Sequence, residues 1–172
     1  MTVKTTEPKL DTRAEKYYAG IRKVVTMQEM GSGLIPQLIG EVFAWLGKNG
    51  IEPQGAPFMR YYVIDMAENM DIEIGVPVAA PIKGDGRVNP GVLPPGRYAS
   101  LIYTDVTKGY EGNSVLIGWA KDKGIEWDHW DDPKGDAFRS RYEIFIDGPQ
   151  DDPDPTKWDT EVAIKLADGQ SW

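Results

Sequence analysis

The segment WLGKNGIE at residues 45–52 returns later in the chain as WAKDKGIE at residues 119–126. Self-similarity of this kind indicates an internal repeat, which has to be recognised before single elements are assigned. Three further pairs of segments match in the same order: 18–21 with 98–101, 60–64 with 141–145, and 71–74 with 159–162. The matched segments begin 74 to 88 residues apart, so the length differences fall in loops. The sequence therefore predicts a duplicated unit.

Each repeat has the pattern strand, helix, strand, strand. Apolar residues recur at spacings of three and four over residues 34–46, which indicates one buried helix face, and residues 115–119 begin a similar stripe. Both predicted helices end at a glycine, Gly50 or Gly124, that follows lysines in the last turn. A left-handed glycine and a cation near the carboxyl end both favour helix termination.

A chain of 172 residues is long enough to bury a core as one domain. We predict an α+β fold in which two strand-helix-strand-strand units join edge to edge with pseudo-twofold symmetry. The antiparallel sheet is expected to be curved, with two helices on one face and a ligand groove on the other. The predicted boundaries are an N-terminal extension 1–11 and a single domain 12–172, divided into repeat one 12–80, connector 81–93, repeat two 94–166 and C-terminal tail 167–172.

Composition excludes several kinds of chemistry. The chain has no cysteine, which excludes disulfides, zinc-thiolate sites, iron-sulfur clusters and thiol nucleophiles. His129 is the only histidine, so we expect no metal site, no catalytic triad and no cofactor. A net charge of −8 argues against nucleic acid as a partner. No apolar stretch reaches membrane-spanning length, and we expect a cytoplasmic protein with no membrane partner.

Strand alternation separates two faces of the predicted sheet. We assign to the helix-facing side two apolar rows in the second repeat, residues 142, 144 and 146 and residues 162, 164 and 166. The opposite rows carry isolated carboxylates and aromatic rings, which suit a groove for flat or cationic organic molecules. By symmetry we match Tyr62 with Glu143 and Glu73 with Glu161. The residues predicted to bind the ligand are Tyr62, Glu73, Glu143, Phe145, Glu161, Trp130 and Phe138.

Two assignments have plain structural alternatives. Glu143 either faces the groove or forms a surface ion pair with Arg141 or Arg139, which would contribute little to stability. Trp130 and Phe138 lie in an aromatic-rich segment that either covers the groove as a lid or packs into the core. Strand parity alone leaves both alternatives open.

Four segments in order resemble the GyrI-like, or bacterial effector-binding, domain: PPGRY at 94–98, the helix end at 119–124, RYEIFIDGP at 141–149 and DTEVAI at 159–164. The resemblance covers residues 12–166. It implies two strand-helix-strand-strand units around a cleft that binds small, often lipophilic and cationic, molecules. An acidic cleft residue of the family matches Glu143, with Glu161 as a second candidate. Some relatives carry a DNA-binding module, and we expect this chain to be a stand-alone member.

Three functions are compatible with this resemblance. The first is binding of a small organic molecule for sensing, sequestration or detoxification. The second is hydrolysis of reactive small molecules such as cyclopropane-containing toxins, with Glu143 as general base and Glu161 and Tyr62 in support. The third is inhibition or adaptation of a partner protein. The chain is expected to be a monomer or a homodimer.

Overall fold

The computed structural model describes residues 3–65, 67 and 69–170. Residues 1, 2, 171 and 172 of the predicted extension and tail therefore lie outside the described residues. The strands are β1 (Lys4–Thr5), β2 (Lys9–Arg13), β3 (Lys16–Thr26), β4 (Phe58–Ile64), β5 (Asn69–Pro77), β6 (Asn89–Leu93), β7 (Gly96–Thr104), β8 (His129–Asp132), β9 (Gly135–Phe138), β10 (Arg141–Phe145) and β11 (Asp159–Lys165). The helices are α1 (Met27–Met30), α2 (Leu34–Lys48) and α3 (Gly109–Asp122).

The predicted α+β duplication is confirmed. The two repeats are β3-α2-β4-β5 and β7-α3-β10-β11, and their strands form one curled antiparallel sheet with the central order β7-β11-β10-β4-β5-β3. The repeats join edge to edge through β4 and β10. Part of the predicted extension adds β1 and β2 beside β7, while β6, within the predicted connector, pairs with β3. The remaining hairpin, β8–β9, pairs with β4.

The pseudo-twofold axis passes through the pair Met59 and Glu143. Phe58 lies opposite Gly75 in the first repeat as Tyr142 lies opposite Ala163 in the second, so Phe58 and Tyr142 are equivalent. Met59 and Glu143, the next residues, are then equivalent and lie directly opposite each other. Our match of Tyr62 with Glu143 was therefore wrong by three residues.

Each helix covers the outer strands of its own repeat. α2 packs on β3 and β5, and α3 packs on β7. Three of the four buried positions of α2 (Leu38, Val42 and Leu46) correspond in spacing to those of α3 (Gly112, Leu116 and Ala120). Both helices end as predicted, since Gly50 and Gly124 follow the caps with φ of 68° and 70°.

The sheet face opposite the helices has its own aromatic core. Tyr18, Phe58, Tyr98 and Tyr142 are all buried there, with ring centroids 5.0–5.8 Å apart in successive contacts. Tyr142 and Ile144 were predicted to face the helices, and this was wrong. Directly paired residues of antiparallel strands share a face. Glu143, not Tyr142, pairs with Val162, which lies in the helix-side core.

Within the described residues, no helix combines the length and apolar character needed to cross a membrane.

Candidate ligand-binding cleft

Among the described residues, neither α2 nor α3 packs extensively on the two central strands, β4 and β10. Because side chains alternate along a strand, each central strand presents one row to the space between α2 and α3. The pairing with the helix-side core identifies these rows. The floor of the cleft is thus formed by Met59, Tyr61, Arg141, Glu143 and Phe145.

Glu143 is the centre of this floor. Its side chain is only 5% exposed, and both carboxylate oxygens accept hydrogen bonds from tyrosines. Tyr61 Oη donates to Oε2 and Tyr103 Oη donates to Oε1. Burial, followed by the charge of Glu143, raises the pKa of both tyrosines well above the ordinary value. The two hydroxyls therefore remain protonated donors across the physiological pH range.

Tyr103 reaches Glu143 because α3 carries a glycine where the ring lies. A Cβ atom on Gly112 would stand 2.6 Å from Cγ and Cδ1 of Tyr103, too close for any side chain. Sequence reasoning missed both Tyr61 and Tyr103. A glycine at a buried position of a helical stripe was the available signal for Tyr103, since it indicates a large neighbour.

Arg141 lies beside Glu143 on the same strand face. It is half-buried, and its Nη2 donates to Asn113 Oδ1 of α3 at 2.9 Å. Its guanidinium lies 4.8 Å from the ring centre of Phe138 and 5.9 Å from that of Tyr61. Nε is shielded from solvent and has no hydrogen-bond partner among the described residues. Burial lowers the pKa of Arg141, although the side chain stays charged at neutral pH.

The cleft walls differ in polarity. Tyr110 and Ile117, three residues before and four after Asn113, lie on the same side of α3 and are 75% and 38% exposed. In α2 the positions equivalent to Asn113 and Ile117 are Ile39 and Phe43, both half-buried against the first core cluster. The cleft is therefore apolar on the α2 side and mixed on the α3 side.

Glu73 and Tyr62 lie on the opposite face of the sheet. Glu73 Oε1 accepts from Tyr18 Oη at 2.5 Å and from Tyr62 Oη at 2.7 Å. Arg60, the cross-strand neighbour of Glu73, donates to Tyr18 Oη at 2.9 Å. The ring of Tyr62 lies between two guanidinium groups, 3.7 Å from that of Arg22 and 4.5 Å from that of Arg60. Tyr18, Tyr62, Glu73 and Arg60 therefore form one hydrogen-bonded cluster.

Glu161 also lies on that face, away from Glu143. Its Oε1 pairs with Arg13 Nη1 at 2.8 Å, and the same nitrogen donates to Tyr142 Oη at 3.0 Å. Glu161 is paired across the sheet with Ile144 and not with Glu143. The structure therefore brings Glu143 and Phe145 together in the cleft and places Tyr62, Glu73 and Glu161 elsewhere.

The β8–β9 hairpin holds the remaining predicted residues. Phe138 is buried in the second core cluster beneath Arg141, whereas Trp130 is 44% exposed with Arg139 5.0 Å from its ring centre. His129 Nδ1 lies 2.9 Å from Asp136 Oδ1 on the surface. No cluster of three or more metal-ligating side chains occurs in the described part of the chain.

Solved structures of other proteins share this fold. The C-terminal domain of EcmrR matches with a TM-score of 0.72 at 21% identity, over 97% of this chain and 99% of that chain. In the EcmrR–DNA complex the chain spans 57% of the EcmrR chain. SAV2435 bound to tetraphenylphosphonium matches with a TM-score of 0.57 at 12% identity, over 95% of each chain. A hydrolase from Listeria innocua matches with a TM-score of 0.61 at 10% identity, over 94% of this chain and 92% of that chain.

At these identities the structural matches establish the fold alone. A comparison with curated proteins gave no match. The model of the GyrI-like small molecule binding domain, in contrast, matches residues 6–167, nearly the whole chain. This match, which agrees with the duplicated sheet, shows that the chain belongs to the GyrI-like small-molecule-binding family.

Proposed function

We propose that this protein binds a small, lipophilic, aromatic organic cation in the cleft between α2 and α3, with Glu143 as the charged contact. The observation that carries the proposal is the buried carboxylate held by Tyr61 and Tyr103 on the pseudo-twofold axis. Such a carboxylate loses most of its hydration, and two neutral hydroxyl donors compensate only part of that loss. A cation that reaches Glu143 would replace part of the stabilisation that the carboxylate loses when it is removed from water.

The surrounding side chains favour a flat or aromatic ligand. Tyr61 and Phe145 line the floor beside Glu143, and Phe43 is placed on the α2 wall. Aromatic rings stack on such surfaces, and desolvated cation–π contacts contribute about 2 kcal/mol or more. The GyrI-like family model describes small-molecule binding, and the similar SAV2435 was solved with the lipophilic cation tetraphenylphosphonium. Both support this chemistry.

Because Glu143 is almost fully covered, ligand entry requires the surrounding side chains to move. Tyr61, Arg141 and Phe145 are only half-buried and stand on the floor around the carboxylate. Side-chain rotation at these positions exposes Glu143 without breaking a strand pairing. We therefore expect ligand binding to change tyrosine and tryptophan fluorescence more than secondary structure.

Two ions of the same shape and opposite charge test the proposal. We expect tetraphenylphosphonium to bind and tetraphenylborate to bind much more weakly, as followed by tryptophan quenching. Glu143→Gln keeps the shape but removes the charge, and it should weaken tetraphenylphosphonium by about tenfold or more, corresponding to roughly 1.5–3 kcal/mol. Glu161→Gln, on the opposite face, is the matched control and should change affinity less than twofold. Equal binding of both ions, or equal effects of both variants, would contradict the proposal.

Hydrolysis by the same site remains the alternative prediction. Its catalytic base would be Glu143, but Glu161 and Tyr62 lie on the other face and cannot contact the same substrate. The groups near enough to orient a water or a substrate are Tyr61 and Tyr103. Product formation from an electrophilic cyclopropane compound, abolished by Glu143→Gln and retained in Glu161→Gln, would favour the enzyme over the binder.

A further inference from the structure

Arg141 is a second charged group in the cleft. Among the described residues it forms no direct hydrogen bond with Glu143, and its Nη2 donates to Asn113 Oδ1. Its Nε, shielded from solvent, has no acceptor. A buried donor without an acceptor is costly, and in native structures it commonly indicates a missing partner.

Arg141 has few negatively charged neighbours, so a bound anion could pair with it. The groups that act on it electrostatically are Tyr61 and the two carboxylates of Glu143 and Asp136. Asp136 lies on β9 and already faces His129 at 2.9 Å. The floor therefore holds one carboxylate and one guanidinium. A ligand that is only a cation would bring a second positive charge next to Arg141, whereas a ligand with both charges would match both groups.

We propose that the preferred ligands are amphoteric aromatic molecules, with a cationic part that contacts Glu143 and a carboxylate that binds Arg141. This inference rests on the function proposed above and specifies its ligand class. The guanidinium is suited to the role because its planar donors match a carboxylate. The guanidinium also lies near the rings of Phe138 and Tyr61, 4.8 Å and 5.9 Å from their centres.

Two dyes with the same xanthylium core test this proposal. Rhodamine 110 carries a free carboxylate, and rhodamine 123 carries the methyl ester at that position. By fluorescence anisotropy we expect rhodamine 110 to bind roughly tenfold more tightly, the effect of about one charge-assisted hydrogen bond. Equal affinities, or preference for the ester, would overturn the inference.

Arg141→Met provides the matched variant, because methionine keeps much of the side-chain length without charge. It should abolish the preference for rhodamine 110 by weakening that dye much more than rhodamine 123. Equal weakening of both dyes would show that Arg141 only positions α3 through Asn113, and would overturn the proposal. The exposed Arg139→Met is the control and should leave the preference unchanged.

Further outcomes separate this proposal from the one on which it rests. Binding of tetraphenylphosphonium without a preference between the dyes overturns the amphoteric ligand alone. Failure of the wild type to bind all three compounds overturns both. If Arg141→Met does not fold, Arg141→Lys keeps the charge but lacks Nε and the planar fork, and it should reduce the preference severalfold. An unchanged preference in Arg141→Lys would also contradict the proposal.

Discussion

The contact between α3 and Tyr103 can be tested by Gly112→Ala, which adds one methyl group to the helix. In Gly112→Ala the new Cβ would stand 2.6 Å from two ring atoms of Tyr103. The ring cannot move freely, since its hydroxyl is bound to Glu143 and its side chain is buried. Overpacking of this kind costs about 1–3 kcal/mol. The higher helix propensity of alanine offsets about 1 kcal/mol of this cost. We therefore expect a net loss of stability of about 0–2 kcal/mol.

Gly118→Ala isolates the packing contribution. Gly118 lies in the same helix, is exposed, and would have no atom within 4 Å of its Cβ. This variant should gain about 1 kcal/mol from propensity alone. The two variants should thus differ by about 1–3 kcal/mol in urea unfolding followed by tryptophan fluorescence. Gly112→Ala should also weaken tetraphenylphosphonium, because Tyr103 is pushed away from Glu143. If Gly112→Ala proved as stable as Gly118→Ala, α3 would not rest on Tyr103 as described.

Two further predictions concern stability. Burial raises the pKa of six tyrosine hydroxyls. The folded protein therefore keeps protons that the unfolded chain releases above pH 10. The free energy of unfolding should be unaffected below pH 10 and should fall as the pH rises further. Most of the rise in absorbance at 295 nm should then accompany the loss of circular dichroism. Because the chain has eight tyrosines, ionisation of more than two of them in the folded protein would contradict this. Arg60→Met should cost about 2–5 kcal/mol because it removes the hydrogen bonds of a buried guanidinium to Tyr18 Oη and to the carbonyl groups of Val92 and Arg139. Arg22→Met, which removes an exposed pair with Asp71, should cost about 1 kcal/mol or less, and similar losses in urea unfolding would refute the distinction. The six tyrosines are Tyr18, Tyr61, Tyr62, Tyr98, Tyr103 and Tyr142.

The duplicated fold could be predicted because its signals are local. The helix ends at Gly50 and Gly124 depend on residues within one turn, and the order of matched segments survives changes in loop length. The segments 71–74 and 159–162 were matched in the correct register, as the equivalent pairing of β3 with β5 and of β7 with β11 shows. Strand, helix and repeat assignments all follow from such short-range patterns.

The face of β10 could not be predicted from its own sequence. Alternation separates Arg141, Glu143 and Phe145 from Tyr142 and Ile144 but does not say which row meets the helices. We assumed that the more apolar row would do so. In the structure both faces are buried, because an aromatic core around Tyr142 fills the side away from the helices. Where both faces are covered, polarity no longer distinguishes them.

The residues that matter most arise where the two repeats differ. At the axis, Met59 of the first repeat pairs with Glu143 of the second. The two positions are equivalent by symmetry, but only the second repeat has a charged residue there. The helices also differ at an equivalent position, where Ile39 stands in α2 and Asn113 in α3. Matching of the repeats finds positions where the two sequences are alike, so it misses positions such as these, where the sequences differ. We expect a cleft with one apolar wall and one mixed wall to orient the proposed ligand, because a cationic group that binds Glu143 would leave the lipophilic part of the molecule to pack against the first repeat.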